Sequence, residues 1–290
     1  MIESITYGLI NGMLVALLAV AIAMHYKVAR YLDFFLPGFV ALGGYVQYVA
    51  IHKYKLPILV ALLASGAFCA LASLAIDSAI LTPLHRKSAS RAILLLSSLG
   101  GYIVIIAILG VIFGGATQVS RLGLEDTVTI FAVRLPIVRV WLVGYALIFL
   151  LAVAMSLRVT QFGRLLNAAF DSSSLLESCG HNRDSLRRVT YAVAGLLSGI
   201  CGALFAIDTG VEPTGAMAAF ILAATAVIVG GIGRLAGATL ACLILSLARA
   251  LLIWVVPFQW SETLVYALLF GFVCLRPRGL FPLRHPEPNQ

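Results

Sequence analysis

The chain consists of long apolar segments without a charged residue, separated by shorter stretches that carry the charges. The hydrocarbon core of a bilayer is about 30 Å thick, so a helix that crosses it needs about 20 predominantly apolar residues. This pattern predicts an all-α, polytopic membrane protein. The longest uncharged runs reach or approach the required length and lie at 4–26, 34–52, 56–76, 92–120, 140–157, 189–207 and 213–233.

The C-terminal part of the chain is divided into shorter runs by Arg249 and Glu262. A proline and a tryptophan lie between these two charges and are typical of an interfacial turn. We therefore interpret 235–254 and 262–275 as the last two spans, which brings the predicted total to about nine. Counts of eight and ten stay open, because re-entrant and broken helices defeat the counting of apolar runs.

Composition excludes a soluble globular protein. Hydrophobic residues make up 61% of the sequence and charged residues 11%, whereas soluble domains contain roughly 45–50% apolar and about 25% charged residues. Intrinsic disorder, collagen and coiled-coil sequences are excluded by the same numbers. The net charge of +8 is spread over short loops, so we expect no nucleic acid among the partners and attribute the excess to membrane orientation and to anionic lipid.

Lysine and arginine predict the orientation, because cytoplasmic loops are enriched in both residues. Segment 158–188 contains five arginines and is taken as cytoplasmic. Alternate loops then place 14 of the 20 Lys and Arg residues on the cytoplasmic side and 6 on the other side. The N-terminus is outside in this arrangement, and 114–137 forms an outside loop with a short hairpin or helix.

No sequence motif predicts catalysis, a metal site or nucleotide binding. The five cysteines form no CxxC pair, and H-E-x-x-H, G-x-S-x-G and the phosphate-binding loop G-x-x-x-x-G-K-[ST] do not occur. We therefore expect that the protein is not an enzyme, binds no metal or cofactor of its own, and takes energy for uphill transport from another chain. Ionisable residues in apolar segments are functional candidates, but all six lie near predicted span ends, where we expect water to reach them. They are Asp33, Asp77, Asp208, Glu212, Arg249 and Glu262.

The cytoplasmic segment contains a predicted surface helix over about 165–179. Gly180 follows it and is a typical C-terminal helix breaker. An exposed apolar helix face usually binds a partner, and the alternative is that the helix lies on the bilayer. The residues expected on its apolar face are Leu165, Leu166, Ala169 and Phe170.

Glycines at helical spacing predict close helix packing. Gly8 and Gly12, like Gly195 and Gly199, are separated by three residues, a spacing that brings helix backbones together in lipid. A further glycine-rich stretch predicts a break between two spans, because glycine permits a sharp turn and a close approach. An ordinary short loop is the alternative. Its glycines are Gly230, Gly231, Gly233 and Gly237.

Four stretches match the pattern of one protein family. They are the N-terminal block with Gly8, Gly12, Ala16, Leu17, Asp33, Phe34 and Gly38; the segment from Phe162-Gly163-Arg164 to Asn182-Arg183; the glycine stretch Val229 to Ala238; and Arg276-Pro277-Arg278-Gly279-Leu280-Phe281. In this order they resemble the integral-membrane permeases of ABC importers for branched-chain amino acids. The resemblance implies a permease domain over 1–281 with a cytoplasmic ATPase-docking loop at 158–188, followed by a frayed tail over 282–290. Asn167 departs from the family pattern, which has an arginine there.

The resemblance also implies partners and a location in the cytoplasmic (inner) membrane of a bacterium. Two ABC ATPase subunits, which bind ATP and Mg²⁺, would dock on the cytoplasmic loop, a second homologous permease would complete the path, and a periplasmic substrate-binding protein would deliver the solute. The implied substrates are branched-chain or other neutral amino acids, with urea or short amides as alternatives. No substrate-binding residue is assigned. The implied docking residues are Phe162, Gly163, Arg164, Ala168, Leu175, Gly180 and Arg183.

Two other classes of protein stay open at this point. A secondary transporter or channel for a small neutral solute would also be apolar and polytopic, but proton- or sodium-driven transport favours a carboxylate or histidine relay at mid-membrane. The sequence shows no such relay. A membrane enzyme would need polar groups clustered at one depth, which the sequence also lacks. We therefore favour the importer permease.

Overall fold

The computed structural model describes residues 2–119, 127–130, 133–171, 182–231, 233–252 and 267. These residues form ten α-helices, a π-helical turn at Asp77–Leu81, and a hairpin of β1 (Thr127–Ile130) and β2 (Val133–Pro136). The prediction of an all-α, polytopic membrane protein is confirmed. The helices are α1 (Ile2–Ala29), α2 (Phe35–His52), α3 (Ile58–Ile76), α4 (Thr82–Arg86), α5 (Arg91–Phe113), α6 (Ile137–Val159), α7 (Gln161–Asp171), α8 (Arg183–Asp208), α9 (Ala216–Gly230) and α10 (Leu235–Leu252).

Six helical segments in the described part of the chain are long and apolar enough to cross a bilayer, and α9 and α10 are shorter apolar helices. One of the six, Ile58–Arg86, joins α3, the π-helical turn and α4. These eight segments correspond to the first eight predicted spans. Of the ninth predicted span, 262–275, the structure describes only residue 267, and the tail 282–290 lies outside the described residues.

The fifth helix is shorter than its apolar run. The uncharged run extends to residue 120, but α5 ends at Phe113 because Gly114 has φ of 79°, which side chains larger than hydrogen disfavour. The hairpin that follows pairs Thr127 with Pro136 in an antiparallel register. It lies in the predicted outside loop 114–137 and is one of the two structures expected there.

α8 lies at the centre of the bundle, where it packs against α1, α2 and α3, and α10 packs against α1 and α9. The α2–α8 contact depends on glycine, because a Cβ on Gly43 would overlap the backbone of Gly199. Such close contact between small residues is a main source of helix association in lipid. By contrast, α5 and α6 present large apolar side chains to the surroundings, such as Val111, which is 87% exposed.

The structure separates two ends of the bundle. The basic end consists of residues 25–33, 82–91, 161–171 and 182–188. Lys27 contacts Asn167 and Arg187 contacts Asp77, and these contacts hold its segments together. The opposite end consists of residues 53–57, 114–119 and 208–215, and there Gln118 and Val211 form a β-bridge. Three of the segments predicted to be cytoplasmic thus meet at one end, and two of those predicted to be outside, 114–119 and 208–215, meet at the other.

Candidate functional site

A cavity of about 350 Å³ lies near the opposite end, between α1, α2, α8, α9 and the segment that joins α8 to α9. Most of its wall is apolar, whereas a small number of polar and charged groups face the same space. Cavities of this kind are the usual binding sites for small molecules. Its apolar wall includes Val15, Val40, Ala41, Phe205, Ala206, Ala219 and Leu222, and its polar lining includes Asn11, Thr117, Thr209, Glu212 and Arg249.

Backbone contacts shape this cavity. Gly202 brings α8 against α2, because a Cβ at this position would collide with the carbonyl of Val40. Beside the cavity, Gln118 and Val211 exchange two backbone hydrogen bonds of 2.9 and 2.8 Å. These bonds hold the segment after α5 against the segment after α8, so the mouth of the cavity is built from two different loops.

The charged lining of the cavity contains both signs. The exposed carboxylate of Glu212 accepts a hydrogen bond of 3.3 Å from the hydroxyl of Thr117, and Arg249 of α10 lines the same space. The Oδ1 atom of Asn11 is buried and has no hydrogen-bond partner among the described residues. The cavity therefore offers charges of both signs beside an apolar wall.

At the basic end, α7 is an amphipathic helix whose apolar face packs onto the bundle. Leu166 and Ala169 are buried, and Leu165 and Phe170 are half-buried, so the four predicted residues do share one face. The expectation that this face is exposed and binds a partner or the bilayer is wrong, because α1, α6 and α8 cover it. Gly163 lies against the end of α6, where a Cβ would collide with the carbonyl oxygen of Leu157. The helix therefore runs directly across the last turn of α6.

Two cations of α1 and the loop after it hold the C-terminal half of α7. Lys27 Nζ donates a hydrogen bond of 2.6 Å to Asn167 Oδ1, and Arg30 Nη2 donates one of 2.8 Å to the carbonyl oxygen of Phe170. Both cations also lie about 6 Å from the centre of the Phe170 ring, within the range of a cation–π interaction. These contacts tie the C-terminal half of α7 to the end of α1.

A buried ion network joins α3, α4 and α8 at the same end. Arg187 Nη1 donates to Asp77 Oδ1, and the Thr82 hydroxyl donates a 2.9 Å hydrogen bond to Asp77 Oδ2. The hydroxyl oxygen of Thr82 accepts a second bond, of 2.9 Å, from Arg187 Nη2. Asp77 is 1% exposed and begins the π-helical turn, a local helix distortion that is frequent at functional sites.

Asp33 lies beside this network, two residues before the start of α2. Its Oδ1 atom accepts a hydrogen bond of 2.9 Å from the backbone N–H of Phe35, and its Oδ2 atom lies 3.6 Å from His25 Nε2. Burial raises the pKa of the Asp33 carboxyl to about 7, although the bond from Phe35 acts in the opposite direction. The expectation that water reaches Asp33 and Asp77 is wrong, because the helices of the basic end pack over both carboxyl groups.

The glycine stretch lies where α9 gives way to α10. Gly231 and Gly233 have φ of 98° and 96°, which glycine adopts far more readily than other residues. Gly230 and Gly237 face each other across the turn, and a Cβ on either would collide with the backbone of the other. The turn therefore requires glycine both for its backbone angles and for the contact between the two helices.

Comparison with known proteins identifies the family to which the chain belongs. The family described as "Branched-chain amino acid transport system / permease component" matches residues 4–273 of the chain. The chain belongs to this permease family. The resemblance inferred from the four sequence stretches is confirmed.

Relatives of this permease carry different names. The high-affinity branched-chain amino acid transport system permease protein LivH of Escherichia coli is 28% identical over 149 residues, which are 51% of this chain and 47% of LivH. The corresponding protein BraD of Pseudomonas aeruginosa is 22% identical over 308 residues, with 99% of this chain and 96% of BraD covered. The autoinducer 2 import system permease protein LsrC of Yersinia pseudotuberculosis is 29% identical over 135 residues, 43% of this chain and 38% of LsrC.

These matches differ in how much of each relative they cover. The part of this permease that aligns with LivH spans about half the length of that protein, whereas the alignment with BraD spans nearly all of both chains. No solved structure matches the chain.

The structure brings some of the predicted docking residues together. Phe162, Gly163, Arg164 and Ala168 all lie on α7, with Arg164 and Ala168 exposed on one side, while Arg183 is the first residue of α8. Leu175 and Gly180 lie outside the described residues. The docking role itself stays a prediction.

The sequence alone assigns no residue to the cavity, although Glu212 and Arg249 are among the ionisable residues near span ends. Their position near span ends made an interfacial role the simpler interpretation. The signal that could have selected them is their opposite charge at the same predicted side: Glu212 follows the span 189–207, and Arg249 lies near the outer end of the span 235–254. Within the described residues, no group of three or more His, Cys, Asp or Glu could hold a metal ion.

Proposed function

We propose that this chain is a transmembrane permease subunit of an ATP-driven ABC importer and forms the translocation path for branched-chain or other neutral amino acids. The observation that carries the proposal is the family match over residues 4–273. In this proposal the permease domain extends over 1–281, with the docking loop at 158–188, and the protein resides in the cytoplasmic membrane of a bacterium.

The energy for transport comes from partner chains. Two ATPase subunits bind ATP and Mg²⁺ and dock on the exposed side of α7, a second homologous permease completes the path, and a periplasmic binding protein delivers the substrate. Support comes from Arg164 and Ala168, which lie one helical turn apart on the exposed side of α7 at the basic end. A protein partner can contact them without disturbing the packed face of the helix.

The contacts of α7 suggest how ATP-driven movement reaches the path. Closure of the ATPase pair shifts α7, and the bonds from Lys27 and Arg30 pass this shift to α1. Gly163 passes it to α6 through Leu157. Because Asn11 and Val15 of α1 line the cavity, movement of α1 alters the cavity at the other end of the helix, as alternating access requires.

The lining of the cavity supports an amino acid as substrate. Arg249 is suited to a carboxylate, Glu212 to an ammonium group, and the apolar wall to an aliphatic side chain. Urea and short amides are smaller and would leave part of this wall uncovered. The name of the LsrC relative, an autoinducer 2 permease, makes a direct test of the substrate necessary.

Uptake of radiolabelled leucine into vesicles tests the proposal. Vesicles with this chain, its partner permease and both ATPase subunits should accumulate leucine when ATP is inside and the binding protein outside. The matched control carries an ATPase variant that binds but does not hydrolyse ATP. Leucine accumulation that persists in this control, or accumulation by this chain alone along an ion gradient, would support a secondary transporter instead.

Two substitutions test the role of the cavity. Glu212→Gln and Arg249→Gln should each raise the leucine concentration needed for half-maximal uptake about tenfold or more, because each removes one charge that the zwitterion contacts. Lys53→Gln removes an exposed charge at the same end outside the cavity and is the control. Unchanged uptake in both cavity variants would exclude this cavity from the path.

A further inference from the structure

A second cavity, of about 390 Å³, opens on the outer surface of the basic end, where the π-helical turn and α4 meet the first turns of α8. Three of its lining residues are cationic and two others carry hydroxyl groups. Neither the proposed translocation path nor the exposed side of α7 includes any of them. The lining consists of Ser78, Thr82, Pro83, Arg86, Lys87 and Arg188.

The positive charge of this cavity is only partly compensated. Arg188 Nε lies 3.6 Å from Asp77 Oδ2, but Asp77 is already paired with the buried Arg187. Arg86 and Lys87 are exposed, and neither forms an ion pair with any residue that the structure describes. The cavity therefore presents at least two cations that an anion can contact.

An exposed apolar surface leads directly into this basic cavity. On α3, the outward-facing side chains include Leu63, Phe68, Leu71 and Leu74, with exposed fractions between 39% and 68%. They recur every three to five residues along one side of the helix, and Ser78 continues that side into the cavity. One continuous surface thus passes from apolar at mid-helix to cationic at the helix end.

We propose that this surface binds an anionic phospholipid, with the phosphodiester headgroup in the basic cavity and an acyl chain along α3. Basic cavities between membrane helices at the cytoplasmic side are suited to anionic headgroups, and Arg and Lys both bind phosphate oxygens. The inference rests on the proposed function in one respect, that the basic end with its docking helix faces the cytoplasm, and it does not depend on which solute is transported.

The apolar surface distinguishes a lipid from other anions and from an acidic protein surface. A soluble phosphate would use the cations but would gain nothing from Leu71 or Leu74. An acidic ATPase surface would approach from the aqueous side, where α7 and its exposed residues lie, and would not reach the middle of α3. Only a molecule with a charged head and an apolar tail contacts both parts of the surface.

Native mass spectrometry of the full-length chain tests the proposal. The protein is equilibrated in detergent with phosphatidylglycerol or with phosphatidylcholine, and retained lipid is counted. The wild type should retain phosphatidylglycerol in preference to phosphatidylcholine. Arg86→Gln together with Lys87→Gln should weaken phosphatidylglycerol retention about 30-fold, since each cation near an anionic membrane surface contributes about a factor of five.

The control variant carries Lys53→Gln and Lys55→Gln, which remove the same charge from exposed positions at the opposite end; its retention of phosphatidylglycerol should change less than about twofold. Melting curves in phosphatidylcholine-containing detergent verify that every variant is folded, and Arg86→Gln alone serves if the double variant is not. Equal retention by both double variants would overturn the proposal.

A competition experiment separates lipid from free phosphate. Inorganic phosphate at millimolar concentration should not displace phosphatidylglycerol from the wild type, and Leu71→Ser should weaken lipid retention with Arg86 and Lys87 intact. Displacement by phosphate, together with no effect of Leu71→Ser, would show that the cavity is a simple anion site and would overturn the lipid assignment.

Discussion

At the scale of single residues, the buried pair of Asp77 and Arg187 is the contact whose loss we expect to cost most. Their side chains are 1% and 5% exposed, and removing one partner of such a pair leaves the other charge buried. We expect Arg187→Met to lower the free energy of unfolding by about 3 kcal/mol. The midpoint of unfolding in an SDS titration of the detergent-solubilised protein measures this loss.

The double variant Asp77→Leu with Arg187→Met provides the control for this prediction. Because it removes both charges, it should recover more than half of the stability lost in Arg187→Met. A double variant as unstable as the single one would show that the side chains act through packing and not through their charges.

The burial of Asp33 leads to a prediction about how stability depends on pH. Burial raises its pKa in the folded protein to about 7 from the usual 3.8. A raised pKa means that the folded state binds the proton more tightly, so this contribution to stability is full below about pH 4 and is lost as the pH rises through about 7. Asp33→Asn keeps an oxygen that can accept the bond from Phe35 but does not titrate. The melting temperature of the wild type should therefore fall relative to that of Asp33→Asn between pH 4 and pH 7, and parallel curves would contradict the assignment.

Single residues also show how far sequence reasoning reaches. The predicted glycines lie at a positive-φ turn and at a helix contact. This could be predicted because a cluster of glycines at the end of an apolar run is typical of such a turn. The pairing of Asp77 with Arg187 could not be predicted, since the two residues are 110 positions apart and their contact follows from tertiary packing. From the sequence alone, an ionised side chain near a span end is as compatible with exposure to water as with a buried ion pair.

At the scale of elements, α7 is the helix whose two faces differ most in expected function. Ala168 is exposed, whereas its neighbour Ala169 is buried against the bundle. We expect Ala168→Glu to leave the melting temperature within about 2 °C of wild type, since surface substitutions usually have small effects, and to abolish stimulation of ATP hydrolysis by the permease. ATPase activity of the reconstituted complex measures the coupling.

The neighbouring position supplies the contrast. Ala169→Glu buries a charge and should reduce the yield of folded protein, while Ala168→Ser should behave as wild type in both assays. Normal ATPase stimulation in Ala168→Glu would exclude the exposed side of α7 as the docking surface.

The turn between α9 and α10 gives the second prediction at this scale. Gly231→Leu forces a branched side chain into φ of 98°, a strain of about 1–2 kcal/mol before any collision is counted. We expect a lower melting temperature and at least a twofold lower yield of folded protein. Gly110→Leu is the matched control, because that glycine lies in α5 and a Cβ there meets no atom within 4 Å. Wild-type behaviour of Gly231→Leu would favour the alternative of an ordinary loop.

The bounds of α7 show why a short helix at the membrane surface is harder to predict than a membrane-spanning helix. The sequence pattern predicts a helix over about 165–179, but α7 already begins at Gln161, and residues 172–179 lie outside the described part. The earlier start follows from packing, because Gly163 allows the helix to cross the end of α6 at Leu157. The local sequence pattern does not predict this contact. Spans are easier because their length is imposed by the bilayer.

At the scale of the whole molecule, the alternation of loops is the part of the fold that the sequence predicts best. Charge counting assigns 25–33, 81–91 and 158–188 to one side, and the structure joins parts of all three segments, the first to the third through Lys27 and Asn167 and the second to the third through Thr82 and Arg187. The central position of α8 could not be predicted, because several apolar helices have similar composition. The positive-inside rule predicts on which side of the membrane each helix end lies, and it does not predict which helices pack against each other.

The same alternation leads to a prediction about sidedness. In a variant without native cysteines, we place one cysteine at Tyr54, which is 65% exposed at the opposite end, or at Gln161, which is exposed at the start of α7. A membrane-impermeant maleimide added to intact cells should label the cysteine at 54 and should label the one at 161 only after permeabilisation. The reason is that positions on opposite ends of the bundle face different compartments, with most Lys and Arg residues inside. Reversed labelling would invert the orientation, and it would also remove α7 as a docking site, because subunits that use cytosolic ATP reach only the cytoplasmic face.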